Sequence, residues 1–120
     1  MACHVLVVED DADNRRIVET VLDRAGYTVT GVADGADALD ACRTRRPDVV
    51  VLDLGLPGLD GWETARRLKA TANPPPIVAL TAHALPGDEE RARRAGCDDV
   101  LTKPCRNAEL REKVKRWAGE

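Results

Sequence analysis

At 120 residues the chain has the length of a single domain, 1–120, and can bury a core without a disulfide or metal staple. With no Phe, two Trp and one Tyr, that core has to be built from Val, Leu, Ile and Ala. A net charge of −3 with no basic stripe argues against direct nucleic-acid binding, and no apolar run approaches membrane-spanning length.

The start, Met1-Ala2-Cys3-His4, lacks the basic and apolar regions of a signal peptide, so a cytoplasmic location is expected. Cys3, Cys42, Cys97 and Cys105 have no paired or zinc-ligand spacing and are expected to be reduced, small apolar residues. Val5-Leu6-Val7-Val8 predicts a first strand ending in Glu9-Asp10-Asp11. Ile17, Val18, Val21, Leu22 and Ala25 recur at helical spacing, and Gly26 suits the left-handed end of that helix. Tyr27 to Val32 predicts an edge strand, and Ala36, Leu39 and Cys42 mark a second helix, closed by Arg45-Arg46-Pro47.

Val49-Val50-Val51-Leu52 predicts a strand covered on both faces, running into Asp53 and the turn Leu54-Gly55-Leu56-Pro57-Gly58. Asp60 and Glu63 have capping-box spacing at the head of a third helix bearing Trp62, Ala65 and Leu68. Asn73-Pro74-Pro75-Pro76 ends it, and Ile77-Val78-Ala79-Leu80 is a fourth strand ending in Thr81. Pro86 to Glu90 opens an acid-headed fourth helix that stops at Gly96. Asp99 to Thr102 is a fifth strand before Lys103-Pro104, and Leu110, Val114 and Trp117 share one face of a last helix, where Trp117 is expected in the core. Five strands alternating with five helices predict a parallel α/β sheet, with the flavodoxin-like order 2-1-3-4-5 leading.

In that order the first and third strands are neighbours, and their ends bring Glu9, Asp10 and Asp53 together. Three close carboxylates raise one another's pKa, so a hard divalent cation is expected among them, and Mg²⁺ fits best. The fourth and fifth strands bring the Thr81 hydroxyl and the Lys103 ammonium to the same edge. A carboxylate nucleophile, a cation site, a hydroxyl and a lysine meet the needs of phosphoryl transfer. Each residue has a plainer reading alone: Asp53 as a turn cap, Thr81 as a strand end, Lys103 as a solvated lysine. Asp11 reads simply as a helix acid, His4 as structural and His83 as a loop residue. Arg91, Arg93 and Arg94 read as a solvated helix face.

Glu9-Asp10 after Val-Leu-Val-Val, Asp53 before Leu-Gly-Leu-Pro-Gly, Thr81-Ala82 and Lys103-Pro104, in this order, resemble the receiver domain of two-component response regulators. Single-domain receivers and those of hybrid histidine kinases are nearest in character. The resemblance implies that Asp53 is the phosphoacceptor, charged by a histidine kinase or phosphotransfer protein. It implies that Asp10, Asp53 and the Gly55 backbone carbonyl bind Mg²⁺, with Glu9 acting through water. Thr81 would follow the phosphoryl oxygen and draw in residues 82–85, Lys103 would pair with the phosphoryl group, and the Lys103-Pro104 bond would be cis. A downstream protein would dock on the fourth helix, fifth strand and fifth helix. Gly55 and His83 stand where the family tunes dephosphorylation. Where the family carries Tyr or Phe, three places before the lysine, this chain has Val100, which implies a switch working through loop and helix shifts. Two other readings stand beside the switch. One is a degenerate receiver serving as a constitutive interaction module. The other is a Mg²⁺-dependent aspartate-nucleophile phosphatase, which wants an Asp where Gly55 stands.

Overall fold

The computed structural model describes residues 3–55, 60–81, 87–103 and 105–119. Strands and helices alternate without exception: β1 (His4–Val8), α1 (Ala12–Arg24), β2 (Thr28–Val32), α2 (Gly35–Thr44), β3 (Val49–Asp53), α3 (Gly61–Lys69), β4 (Ile77–Thr81), α4 (Asp88–Arg94), β5 (Asp99–Thr102) and α5 (Asn107–Trp117). The strands pair in parallel in the order β2-β1-β3-β4-β5, the flavodoxin-like arrangement expected from the sequence.

The apolar runs explain the layers. Successive strand residues face opposite sides. Leu6, Val8, Val50, Leu52, Ile77 and Ala79 pack with Ala38 of α2, Ala65 and Leu68 of α3 and Ala92 of α4. The alternate row, Val5, Val7, Val49, Val51, Val78 and Leu80, packs with Leu22 of α1 and Leu110 and Val114 of α5. Burying each Val, Leu or Ile among them is worth about 1.5–3 kcal/mol, so these rows hold a fold that has few rings to bury. None of the four cysteines forms a disulfide; burial pushes the Cys97 thiol up to about 12 and that of Cys42 to about 11.

Local chemistry sets the helix ends. Asp11, Asp34 and Asp60 cap α1, α2 and α3, each carboxylate accepting the N–H three residues on. Gly26, at φ +99°, closes α1: its N–H donates to the Asp23 carbonyl oxygen at 3.0 Å, and Tyr27 N–H donates to that of Leu22 at 3.2 Å. This double bond pattern with its apolar contact is the Schellman closure, and it corrects one expectation. Tyr27 belongs to the end of the helix, not to β2, which begins at Thr28. Gly96, at φ +105°, closes α4 the same way, with Cys97 N–H on the Ala92 carbonyl oxygen.

Two apolar stripes differ from the pattern read in sequence. In α2 the buried residues are Gly35 and Ala38, with Leu39 and Cys42 half-buried and Ala36 exposed, because Ala36 lies away from the sheet. In α1 Leu22 is buried and Val18 and Val21 are half-buried, but Ile17 is 57 % exposed. At 100° per residue Ile17 falls on the edge of that stripe, beyond the reach of the sheet.

Candidate functional site

The register builds the site. Val8 lies beside Leu52 and Asp53 beside Leu80, so the residues that follow β1 and close β3 stand at one edge. The chain then leaves β1 for α1 on one face and β3 for α3 on the other, which opens a crevice between the strand ends. Alternation puts Glu9, Asp53 and Lys103 in the row facing α1 and α5.

Glu9 and Asp53 are 3 % and 8 % exposed, and Asp10 lies exposed at the rim. Each of the three offers a carboxylate oxygen within 4.8 Å of the others. Lys103 Nζ bridges Glu9 Oε2 at 3.1 Å and Asp53 Oδ2 at 3.2 Å. Gly55 N–H donates to Asp53 Oδ1 at 2.9 Å, and Asp11 N–H to Glu9 Oε1 at 3.3 Å.

Burial pushes the Glu9 carboxyl up, helped by its hydrogen bond and charge repulsion with Asp53 and opposed by Lys103. Burial acts on Asp53 too, but the hydrogen bonds from Glu9 and Gly55 and the Lys103 ammonium outweigh it and hold that carboxyl below its usual value. Of the two carboxyls, Asp53 is the one held towards its ionised form. Burial alone would lower the Lys103 ammonium, but its two carboxylate partners raise it, so it stays charged.

These residues suit a hard divalent cation. The donors are all oxygens, and three carboxylates against one ammonium leave two negative charges unanswered when all are ionised. Thr81 closes β4 in a buried position, and its carbonyl oxygen accepts Lys103 N–H at 2.7 Å. The structure therefore gathers Glu9, Asp10, Asp53, Gly55, Thr81 and Lys103 at one edge.

Asp11 serves as the α1 cap, its Oδ1 accepting Asn14 N–H at 2.9 Å. His4 is structural, with Nε2 2.8 Å from Thr30 Oγ1. Trp117 packs on the core half-buried, its Nε1–H donating to Asp99 Oδ2 at 2.9 Å. The turn at Leu56-Pro57-Gly58, residues Ala82, His83 and Pro86 and the Lys103-Pro104 bond lie outside the described residues.

Four features were not read in the sequence. Arg15 donates to the Glu9 carbonyl oxygen at 2.9 Å and ties α1 to the end of β1. A groove of about 410 Å³ runs beside the carboxylates, lined by Glu9, Asn14, Ile17, Leu80, Lys103 and Cys105. Exposed Ile17 at the edge of an apolar stripe is the signal that points to it. Arg91 does not simply face solvent: its guanidinium carbon sits 4.2 Å from the centre of the Trp62 ring. A larger groove, about 520 Å³, lies between α2 and α3, away from the carboxylates.

The family model of the response regulator receiver domain matches residues 5–115. The polar-differentiation response regulator DivK of Brucella anthropi is 34 % identical over 118 residues, covering 97 % of this chain and 96 % of DivK. The sensor histidine kinase GacS of Pseudomonas protegens is 37 % identical over 98 % of this chain, which spans 13 % of that kinase. The crystal structure of the receiver domain of the sensor histidine kinase PA1611 from Pseudomonas aeruginosa, with a magnesium ion coordinated in its active-site cleft, covers all of both chains at 41 % identity and a TM-score of 0.91. With strand order, acidic cluster and lysine already in agreement, the chain belongs to the response regulator receiver domain family of two-component signalling.

Proposed function

We propose that the chain is a phospho-accepting switch whose nucleophile is Asp53. The observation that carries this reading is the unequal charge at the strand ends: Glu9, Asp10 and Asp53 converge, and Lys103 alone among the described residues answers them by ion pairing. In the proposed step an oxygen of the ionised Asp53 carboxylate attacks the phosphorus of a kinase or phosphotransfer-protein phosphohistidine. The P–N bond breaks, and the donor imidazole leaves with the bonding pair. Lys103, held at Asp53 Oδ2, meets the charge on the incoming phosphoryl oxygens. Thr81, beside Lys103, supplies a hydroxyl donor to the same group.

Asp10, Asp53 and the Gly55 carbonyl are the proposed Mg²⁺ ligands, with Glu9 acting through water. Bound there, Mg²⁺ supplies further positive charge to the phosphoryl oxygens. The magnesium in the cleft of the PA1611 receiver domain supports this assignment. The donor reaches Asp53 over the groove beside α1, where Ile17 offers an apolar contact. Residues 1–120 act as one unit in this reading, in the cytoplasm, with output through protein contact on α4, β5 and α5. No described helix is long and apolar enough to cross a membrane.

The test is a mass measurement after incubation with Mg²⁺ and acetyl phosphate. One phosphoryl adduct, absent from Asp53→Asn, is expected. No adduct on the native chain would overturn the reading in favour of a constitutive interaction module. Steady release of phosphate from unrelated phosphomonoesters would overturn it in favour of a phosphatase. Ile17→Asp is expected to keep the acetyl phosphate adduct and to slow transfer from a phosphorylated kinase; equal transfer rates would remove the donor from this groove.

A further inference from the structure

Helix α4 is thinly fastened. Its one buried residue is Ala92, and Ala95 and Cys97 just beyond extend the contact with the core that also holds Ala65 and Leu68 of α3. These are small side chains that bury little area each. Arg93 and Arg94 pair with Glu89 and Glu90, on α4 itself. Arg91 instead leaves the helix and stacks on Trp62 of α3 at 4.2 Å. A cation over a ring face is attracted by the ring's quadrupole, and the tryptophan ring is the strongest of the three types.

Both ends of this stack belong to segments that start at the phosphoacceptor edge. Trp62 follows Gly61, which lies so close to the end of β3 that a Cβ there would press on Leu54 Cα and come within 2.6 Å of the Asp53 carbonyl oxygen. The head of α3 thus rests on the backbone of Asp53 itself. Arg91 stands midway along the seven-residue α4, its N–H donating to the Gly87 carbonyl oxygen at 2.9 Å, and residues 82–87 join the head of that helix to Thr81. Thr81 continues the row of Ile77 and Ala79, the row that faces α3 and α4. Val100, half-buried against the same core, is a branched aliphatic with no ring to swing and no hydroxyl to offer.

We propose that the Trp62–Arg91 stack is the latch that holds α4 against α3 and couples it to Asp53. The inference rests on the phospho-accepting reading. Phosphoryl uptake at Asp53 shifts Thr81 and the head of α3, and the latch opens. Coupling is reciprocal, so a latch that opposes activation also weakens binding at Asp53. Breaking it loosens α4 at rest and tightens the site for a phosphoryl mimic, on the order of three- to tenfold for one cation–π contact.

The test compares native protein, Arg91→Ala, Arg91→Lys and Arg94→Ala, with beryllofluoride and Mg²⁺ as the phosphoryl mimic. Hydrogen exchange of residues 88–95 reads α4, a titration reads mimic affinity, and the acetyl phosphate adduct is weighed separately. In Arg91→Ala the resting α4 amides should exchange faster, the mimic should add little further change, and it should bind more tightly. Arg91→Lys should fall between, and Arg94→Ala, which removes the same charge outside the stack, should match the native protein. An adduct with native-like α4 response and native affinity in Arg91→Ala overturns the latch while leaving the switch intact. Absence of the adduct from the native protein overturns both.

Discussion

The two edges of the sheet each set a lysine against buried or half-buried carboxylate, and the outcomes are opposite. At the amino edge Lys69 Nζ lies 2.6 Å from Asp98 Oδ2 and 3.0 Å from the Pro75 carbonyl oxygen. The same Asp98 oxygen accepts Ile77 N–H at 2.8 Å. One charge answers one, the backbone adds a donor and an acceptor, and the result clips α3 to the starts of β4 and β5. At the carboxyl edge Lys103 faces Glu9 and Asp53 together, with Asp10 beside them. Balanced charge fastens chain to chain; unbalanced charge leaves a site that attracts a cation and a phosphoryl group.

Exchanging a carboxylate for an amide at each edge breaks this comparison most directly. Asp53→Asn should lose the phosphoryl adduct entirely and cost less stability than the change at the other edge, because Lys103 keeps Glu9 as its partner and the remaining carboxylates lose a crowding like charge. Asp98→Asn should do the reverse. It should keep the adduct and lose roughly 1–3 kcal/mol of stability, because Lys69 is left half-buried without its counter-charge. Urea titrations of both variants check this. A greater loss in Asp53→Asn than in Asp98→Asn would mean that the carboxyl edge is the structural one.

The amino edge should also show itself in pH. His4 opens β1 in a buried position, and its Nδ1 has no hydrogen-bond partner among the described residues. Burial lowers its pKa from 6.5, nearby Arg45 lowers it further, and Asp48 opposes both. Between the folded value and 6.5 the unfolded chain holds a proton that the folded chain does not, so stability rises with pH there. His4 should contribute fully above 6.5 and lose its contribution as pH falls through its folded value. The urea midpoint should therefore drop between pH 7 and pH 5, and His4→Gln should flatten that drop. An unchanged slope in the variant would assign the loss to other groups.

The sheet was legible in the sequence because its signal is local: each buried strand is an apolar run, rich in Val, Leu and Ile, ended by a polar or charged residue. The strand order then made the partners of Asp53 legible, since register alone carries Glu9 and Lys103 to it. What escaped depends on contacts between distant elements. Nothing near Lys69 names Asp98 as its partner, and nothing in Arg91-Ala92-Arg93-Arg94 tells which arginine finds a ring. Ile17 and Ala36 lie on the right helices but on the wrong side, because a stripe at helical spacing fixes a direction only once its sheet is known. Tyr27 looked like strand because its β-forming ring outweighed the glycine before it, whose closure of α1 claims the residue that follows.

The finest distinction at the carboxyl edge lies at Gly55. It is not among the glycines of positive φ, and among the described residues a Cβ there would meet only Asp53 Oδ1, at an ordinary 3.5 Å. A side chain is therefore admissible without strain, and the N–H that holds Asp53 Oδ1 survives substitution. Glycine at this place sets no side chain beside the carboxylate. Gly55→Leu should fold with native stability and take up the phosphoryl group. It should lose that group more slowly, because the added side chain screens the acyl phosphate from attacking water. The decay of the phosphorylated mass after removal of acetyl phosphate measures this. An unchanged decay would mean that water reaches Asp53 from another side, and that the openness of the carboxyl edge is set by Asp10 and Lys103 at its rim.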